Sequence, residues 1–224
     1  MQISDVHLGL IVRENRLNNI LAKVKAEEPD IVVSTGDLVD GQICNIETLV
    51  ALLREIDPPY GKFAVTGNHE FYAGYKQALE CTKRSGFTVL QAKGVMIGGT
   101  ISLVGVDDPA SMMYGVSKNI SEEALLATFP AATFTILLKH QPIVAEESVG
   151  LFDLQLSGHT HKGQIFPLTL LTRIRYPFNA GHFSLPKNGH LYVSRGSGTW
   201  GPPIRFLSPP EITVIELVPA GRKQ

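Results

Sequence analysis

The feature that most constrains the fold of this chain is a set of five short polar motifs, each of which ends an apolar segment. In chain order the motifs are Asp5-Val6-His7, Gly36-Asp37-Leu38-Val39-Asp40, Gly67-Asn68-His69-Glu70, Lys139-His140 and Gly158-His159-Thr160-His161. Five of the seven histidines lie in them. In open α/β sheets, loops at the carboxyl ends of buried strands form the ligand-binding edge. The sequence therefore favours a fold that brings several strand ends together.

Helical and extended patterns alternate along the first half of the chain. Apolar residues recur at helical spacing in 17–24 and in 46–53, where Asn45 is a suitable N-cap, and a third helix is predicted over 72–84. Apolar runs predict strands over 31–34, 63–66, 87–91, 101–106, 134–138, 154–157, 191–194 and 212–215. This order of elements is typical of an α/β fold.

The bulk composition fits one packed domain over residues 1–224. Hydrophobic residues make up 44% of the chain and charged residues 18%, with a formal net charge of -1. A chain this close to neutral has no electrostatic footprint for long nucleic acids, although a local basic patch stays open. Cys44 and Cys81 are too few for a disulfide framework, so two free or buried thiols are expected.

The start of the chain bears on its location. No apolar run approaches the roughly 20 residues of a membrane span, and polar residues interrupt any leader-like start. A strand that presents Asp5 normally has several apolar residues before it, whereas only Met1 to Ile3 precede it closely here. We therefore expect a truncated first strand, with the native start and any targeting segment further upstream.

The motif residues are of the types that divalent cations bind in proteins. Imidazole and amide oxygen suit Mn, Fe or Zn better than Ca, and a pair of such ions hydrolyses phosphate esters. Each motif alone is more often structural than ligating. Five together, all at predicted strand ends, favour a metal centre. The Gly-x-x-x-x-Gly-Lys phosphate loop is absent from the sequence, so P-loop nucleotide binding has no support.

The ordered motifs resemble the D-x-H, G-D-x-x-D, G-N-H-[DE], H and G-H-x-H series of the calcineurin-like metallophosphoesterases. The resemblance covers residues 5–161, and no motif residue is missing. It implies an α/β fold, a four-layer α-β-β-α sandwich of two mixed sheets flanked by helices. It also implies a metal-dependent hydrolase that cleaves phosphodiester or pyrophosphate bonds by attack of a metal-bound hydroxide.

The resemblance assigns seven ligands to two divalent metal ions. One ion is bound by Asp5, His7 and His161, the other by Asn68, His140 and His159, and Asp37 bridges both. A carboxylate has two oxygens and can therefore span ions about 3.5–4 Å apart. Mn²⁺ is the expected ion, with Fe or Zn as alternatives.

The same resemblance gives His69 a catalytic role, in which it assists the leaving group as a general acid. Asp40 then orients and charges the ring of His69, although simple loop capping by Asp40 is equally open. Glu70 is expected to accept hydrogen bonds beside the ligands rather than to bind metal.

Several polar residues of the second half are weaker candidates. His182 and Arg195 are the candidates for substrate binding, although a structural role is open for both. Arg205 fits either a phosphate clamp or a structural ion pair. His190 is expected at a sheet edge or the surface.

Residues 165–178 combine apolar side chains with Arg173 and Arg175. They form either an ordinary loop packed on the domain or an apolar lip that contacts a membrane surface or acyl chains. The glycine-rich segment after Tyr192 resembles the bacterial YkuE/YaeI-type phosphodiesterase branch of the family. Members of that branch usually carry an N-terminal membrane or export segment, and some relatives cleave lipid-linked or nucleotide-sugar substrates.

That branch implies a bacterial enzyme, cytoplasmic or peripheral at the membrane, whose partner is a phosphate-ester small molecule or a lipid-linked substrate. Two other functions stay open. A phosphomonoesterase, including a protein phosphatase, would use the same ligands. A non-catalytic scaffold would keep the fold, but such relatives typically lose ligands or the catalytic histidine, and this sequence retains them all.

Overall fold

The structure, a computed structural model, describes residues 1–9, 11–41, 46–116 and 120–219. It contains two β-sheets with helices on their outer faces. The smaller sheet has four parallel strands in spatial order: Gln2–Ile3 (β1), Val32–Ser34 (β2), Lys62–Ala64 (β3) and Phe87–Val89 (β4). The expected cap Asn45 and the thiol of Cys44 lie outside the described residues.

The larger sheet has six strands in the spatial order β5-β6-β7-β8-β10-β9 and is mixed. Its strands are Lys93–Ile97 (β5), Ile101–Gly105 (β6), Phe134–Leu138 (β7), Leu154–Ser157 (β8), Gly181–Ser184 (β9) and His190–Val193 (β10). The four central strands run parallel, whereas β5 and β9 at the two edges pair antiparallel with their neighbours.

Helices connect most of these strands. In the described ranges they are Glu14–Ala26 (α1), Ile46–Arg54 (α2), Asn68–Tyr72 (α3), Tyr75–Arg84 (α4), Ala110–Met113 (α5), Glu122–Leu126 (α6) and Leu168–Arg175 (α7). Helix α1 buries Leu17, Ile20, Leu21 and Val24, the residues whose spacing predicts it. Their repeat places one apolar stripe against the sheet.

Alternating side chains divide the core into layers, because successive residues of a strand point to opposite faces of the sheet. On β2, Val32 packs with α1, α2 and α4, whereas Val33 faces the larger sheet. On β7, Ile136 joins that inter-sheet core, whereas Leu137 packs against Leu126 of α6. The order of layers is therefore helix, sheet, sheet, helix.

The predicted α/β class with two helix-flanked sheets is confirmed. The prediction of two mixed sheets holds for the larger sheet, whereas the four named strands of the smaller sheet are all parallel. The smaller sheet gains an antiparallel partner at a single isolated bridge between Gln2 and Thr213, beside β1. The predicted strand over 212–215 is reduced to that bridge.

Two further predictions differ from the structure. The helix predicted over 72–84 begins later, as α4, and is separate from α3, because Gly74 lies between the two helices with φ 101°, a left-handed conformation that interrupts a helix. The packed-loop interpretation of residues 165–178 is wrong, because these residues contain α7, a helix without a buried residue. The thiol of Cys81 is free and buried, as expected.

Candidate metal centre

The carboxyl ends of five strands deliver the polar motifs to one edge of the molecule. β1, β2 and β3 are parallel in the smaller sheet, and β7 and β8 are parallel in the larger one. Parallel strands place their carboxyl ends on the same side of a sheet. The residues that follow these ends are, in chain order, Asp5, Asp37, Asn68, His140 and His159.

Asp5, His7 and His161 form one group of possible metal ligands. One ligand atom from each lies within 4.8 Å of the others, and all three residues are buried. The Nε2 atoms of His7 and His161 are 3.0 Å apart. His161 Nε2 lies 3.4 Å from Asp5 Oδ1. Asp5 is held in place by the backbone N–H of His159, which donates to its two oxygens at 3.0 and 3.1 Å.

Asp37, His140 and His159 form a second group with the same close spacing. His140 Nε2 lies 3.2 Å from Asp37 Oδ2 and 3.1 Å from His159 Nδ1. The side-chain oxygen of Asn68 is 3.2 Å from the same His140 nitrogen, so Asn68 belongs to this group as well.

Asp37 lies between the two groups. Its Oδ2 atom is 3.2 Å from His140 Nε2 and 3.8 Å from His7 Nε2, which is the position that a bridging carboxylate requires. Burial alone would raise the pKa of Asp37, but His140 and His7 hold it well below its usual range. Asp37 is therefore an anion at neutral pH.

The protonation of the histidines fits metal binding. Burial, with the nearby His140, lowers the pKa of His159 to about 3. Burial likewise lowers the pKa of His161 to about 3, against the opposing charge of Asp5. Both rings are therefore neutral at pH 7, which is the form that ligates metal.

His140 behaves differently because it faces Asp37. Its Nδ1 donates to the Thr35 carbonyl at 2.7 Å, which leaves Nε2 pointing at the cluster. Burial opposes protonation, but the Asp37 carboxylate outweighs it and raises the pKa of His140 well above its usual value. A proton and a divalent cation would therefore compete for the same nitrogen. Carboxylates, imidazoles and an amide oxygen at these spacings fit a pair of borderline divalent ions such as Mn, Fe or Zn.

His69 and Asp40 lie beside the two groups. His69 Nδ1 donates to Asp40 Oδ1 at 2.9 Å, and the other Asp40 oxygen lies 3.3 Å from His7 Nδ1. Burial would lower the pKa of His69, but the hydrogen bond to Asp40 and the charges of Asp37 and Asp40 raise it. The geometry thus brings Asp40 to the position that orientation of His69 requires. The backbone N–H of His69 also donates to Asp37 Oδ1, at 2.9 Å.

The backbone at the ligands is left-handed. Asp5, His7, Asp37, His159 and His161 all have φ between 49° and 70°, a conformation that few residues other than glycine adopt. Such strain persists only where the surrounding structure imposes it, and it is common at functional sites.

Glycines of the motifs permit the close approach of these loops. A Cβ on Gly67 would lie 2.2 Å from Asp37 Oδ1, and one on Gly158 would lie 2.2 Å from Asp5 Oδ2. A Cβ on Gly36 would lie 2.6 Å from His140 Nδ1. No side chain fits at these distances, so the glycines of the motifs are steric requirements of the site.

Glu70 connects two of the motif loops through hydrogen bonds to their backbone. Its carboxylate accepts hydrogen bonds from the backbone N–H groups of Asp37 and Val39 at 3.0 Å each and of Gly67 at 2.7 Å. It therefore accepts hydrogen bonds beside the ligands, as the sequence predicts. Burial and the neighbouring Asp37 raise the pKa of Glu70 to about 7.

Two residues outside the motifs contact side chains of the ligand groups. Tyr176 Oη lies 2.8 Å from His159 Nε2, and Arg205 Nη2 lies 2.9 Å from His161 Nδ1. Arg205 also donates to the carbonyls of Arg195 at 2.7 Å and, through Nε, of Gly198 at 2.9 Å. Its guanidinium is thus engaged by the backbone rather than by an ion pair with a carboxylate. No sequence motif marks either residue.

A pocket of about 390 Å³ opens beside the ligands. The ligand side of its lining includes Asp37, His69 and His159. Another part of the lining comes from the 165–178 segment and the glycine-rich segment after Tyr192, namely Ile165, Leu168, Thr172, Tyr176, Trp200 and Pro202. The lining therefore has a polar side at the ligands and a second, mainly apolar side next to it.

The two candidates for substrate binding lie apart from this pocket lining. His182 is on the edge strand β9, where its Nε2 lies 3.0 Å from Nδ1 of His190. Arg195 follows β10, and its guanidinium forms a salt bridge with Glu211. The structure does not bring either side chain into the ligand groups, and their role in binding stays a prediction.

Comparison with known proteins identifies a family to which this chain is similar. The family model described as calcineurin-like phosphoesterase matches residues 1–163. An uncharacterized metallophosphoesterase of Aquifex aeolicus is 40% identical over 223 residues, which cover 99% of this chain and 85% of that protein. The uncharacterized metallophosphoesterase YkuE of Bacillus subtilis is 33% identical, with 97% of this chain and 78% of YkuE covered.

A longer relative and a solved structure are also similar to this chain. A Danio rerio protein named transmembrane protein with metallophosphoesterase domain is 33% identical over 96% of this chain, which spans only 52% of that protein. A solved structure of a dimetal phosphatase from Danio rerio has a TM-score of 0.57 at 14% identity, with 87% of this chain and 86% of the other covered. That likeness concerns the fold alone.

Proposed function

The chain belongs to the calcineurin-like phosphoesterase family of metal-dependent phosphoester hydrolases, and on that premise we propose that it hydrolyses phosphodiester or pyrophosphate bonds with two divalent ions, Mn²⁺ foremost. The single observation that carries the proposal is the position of Asp37. Its carboxylate lies between two groups of ligands, 3.2 Å from His140 and 3.8 Å from His7. His69 adjoins the same cluster.

Each ligand group would hold one ion. Asp5, His7 and His161 would hold the first, Asn68, His140 and His159 the second, and Asp37 both. When bound, the ions would activate the attacking water and neutralise charge on the phosphate oxygens. Fe or Zn could replace Mn in the same donor set.

His69 would donate a proton to the leaving oxygen. Its Nδ1–H is used by the hydrogen bond to Asp40, so Nε2 is the nitrogen left to face the substrate. Asp40 favours the charged ring and thereby keeps the acid protonated. General acids positioned in this way accelerate hydrolysis by roughly 10²–10⁴-fold.

The apolar side of the pocket supports a substrate with an organic group on both sides of the phosphate. Ile165, Leu168 and Trp200 line that side of the pocket. A phosphodiester or a substituted pyrophosphate carries an organic group on each side of the scissile bond, so one group can contact these residues while the other leaves, whereas a phosphomonoester carries only one. Apolar pocket linings contribute affinity by removing ligand surface from water.

We extend the proposal to a lipid-linked substrate at a membrane, contacted through residues 165–178. Helix α7 exposes Leu170, Leu171 and Ile174, the last with 80% of its surface accessible. Arg173 and Arg175 lie in the last turn of the same helix and would complement anionic lipid headgroups. The likeness to a relative named as a transmembrane protein supports a location near a membrane. Within the described part of this chain, no helix has both the length and the apolarity to span a bilayer.

The test of the catalytic proposal is turnover of bis(p-nitrophenyl) phosphate by the chain loaded with Mn²⁺, with the bound metal counted by elemental analysis. We expect two ions per chain and faster cleavage of this diester than of p-nitrophenyl phosphate. A sample with two bound ions that cleaves neither ester would refute the function. A reversed ratio of rates would instead indicate a phosphomonoesterase.

The membrane contact is tested by sedimentation with vesicles of phosphatidylcholine alone or mixed with phosphatidylglycerol. Binding is expected only to the anionic vesicles, and Ile174→Asp should abolish it without affecting cleavage of the soluble diester. Tyr60→Asp is the matched control, because Tyr60 is also exposed but lies before β3, at the opposite end of the strands. Equal binding by Ile174→Asp and the unmodified chain would contradict the contact.

A further inference from the structure

A chain of hydrogen bonds runs from His159 away from the metal centre. His159 Nε2 lies 2.8 Å from Tyr176 Oη, and Tyr176 Oη lies 3.3 Å from Gln141 Oε1. Gln141 Nε2 lies 2.9 Å from Asp108 Oδ2. Tyr176 is the residue after α7, and Gln141 is the residue after His140.

The buried carboxylate of Asp108 determines which group donates and which accepts in each of these hydrogen bonds. Asp108 is 1% exposed, and its carboxylate can only accept. One oxygen accepts from the backbone N–H of Ala110 at 2.9 Å, and the other accepts from the amide nitrogen of Gln141. Gln141 must therefore turn its carbonyl oxygen towards Tyr176.

The remaining steps follow from that orientation. Because Gln141 offers Tyr176 only an acceptor, the tyrosine hydroxyl donates its proton to Gln141. The oxygen of that hydroxyl is then left as an acceptor for the N–H of His159 Nε2. A neutral imidazole has one N–H, so Nδ1 of His159 keeps its lone pair. That nitrogen is the one 3.1 Å from His140 Nε2, inside the second ligand group.

We propose that Asp108, Gln141 and Tyr176 are positioning residues that hold His159 in the tautomer whose Nδ1 lone pair faces the second metal position. These hydrogen bonds form before any ion binds. His159 therefore does not have to move its proton from one ring nitrogen to the other when metal binds. Groups that orient metal-ligating histidines in this way typically change metal affinity by about 10–100-fold when they are removed. The consequence for metal binding rests on the proposed function, whereas the tautomer itself does not.

The decisive experiment is ¹⁵N NMR of the metal-free full chain, labelled at histidine and treated with chelator. The His159 signals are assigned by their loss in His159→Gln. We expect protonation at Nε2 and a bare Nδ1 in the unmodified chain. Tyr176→Phe keeps the ring, which packs edge-on to His159 at 5.1 Å between centroids, but removes the hydroxyl. That variant should show a mixture of both tautomers.

Two further variants separate the hydrogen-bond chain from a packing effect. Gln141→Met keeps the length of the side chain but removes the acceptor, which frees the tyrosine hydroxyl to donate to His159. We expect it to populate the Nδ1–H form. Tyr60→Phe is the matched control on an exposed tyrosine before β3, and it should leave the spectrum unchanged.

Metal titration provides the second measurement. Mn²⁺ binding to Tyr176→Phe should show a second-site affinity lowered by about 10–100-fold and an unchanged first site. An Nδ1–H tautomer in the unmodified chain, an unchanged tautomer in Tyr176→Phe, or an unchanged second-site affinity would each overturn the proposal. If the tautomer is as expected and the unmodified chain binds fewer than two ions, the proposed function fails and the positioning of His159 stands.

Discussion

The two sides of the pocket are built in opposite ways. On the ligand side, side chains such as Asp37 and His140 are almost fully buried, and backbone or side-chain hydrogen bonds fix each of them. On the other side, α7 has no buried residue, and Leu171 and Ile174 are 64% and 80% exposed. Hydrogen bonds from several elements hold the side chains of the ligand side, whereas the residues of α7 are not buried in the core.

We expect this difference to separate the chemistry of the site from its choice of substrate. The ligand side carries left-handed backbone and glycine contacts that leave no room for substitution. Helix α7 can change its apolar residues at little cost to the fold, because none of them packs in the core. Loops and short helices around a rigid edge are where specificity usually varies within a fold. The predictions below test this division.

The largest effect is expected for Asp37→Asn. Asp37 Oδ2 lies near both ligand groups, and a neutral amide oxygen in its place lacks the negative charge that holds two cations together. Elemental analysis should show no more than one ion per chain, and turnover of the diester should fall below detection. Asp57→Asn, at an exposed carboxylate, is the control. Two retained ions in Asp37→Asn would show that the centre does not depend on a bridge.

His69→Ala should lower the turnover number by roughly 10²–10⁴-fold, the usual contribution of a general acid. Two ions should remain bound, because His69 is not among the proposed ligands. Paired measurements of turnover and metal content test this. Activity close to that of the unmodified chain would remove His69 from the reaction.

Asp40→Asn should move the pH dependence of turnover. Burial lowers the pKa of His69, and in the native chain the hydrogen bond and charge of Asp40 help to outweigh that effect. The acid must be protonated, so activity is lost as pH rises through the pKa of His69. Without the charge of Asp40 that pKa falls, and the alkaline limb of the profile moves to lower pH. An unmoved limb, with reduced activity at every pH, would favour the loop-capping role of Asp40.

The smallest effect is expected on stability at α7. Ile174→Ala should change the free energy of unfolding by less than about 0.5 kcal/mol, as surface substitutions usually do. Leu138→Ala, at a fully buried position between the sheets, should cost about 2–5 kcal/mol. Urea unfolding at one fixed metal concentration measures both. A large loss in Ile174→Ala would show that α7 is integral to the core.

The sequence predicts the ligand side far better than the α7 side. Each motif lies at the end of an apolar strand such as 134–138 or 154–157, and both of these strands are found at the predicted bounds. The family series and its YkuE-type branch are likewise confirmed by the relatives. These signals are local, because a strand and its polar end are adjacent in the chain.

What the sequence does not predict depends on tertiary packing. Helix α7 begins after Pro167 without a side-chain cap, and it has no buried apolar face. The spacing of its apolar residues therefore gives little indication of a helix. The contact between Tyr176 and His159 exists because α7 returns the chain to the ligand edge. The edge strand β9 is short and pairs on one side only, with β10. No local pattern encodes these arrangements.

The contact between His7 and His161 has a consequence for the order of assembly. Their Nε2 atoms are 3.0 Å apart although 154 positions separate the residues in sequence. A nascent chain released only up to β8 lacks His161 and cannot complete the first ligand group. Closing so long a loop is an entropic cost that packing between the two sheets helps to offset. The first ligand group is therefore complete only after both sheets have formed and come together.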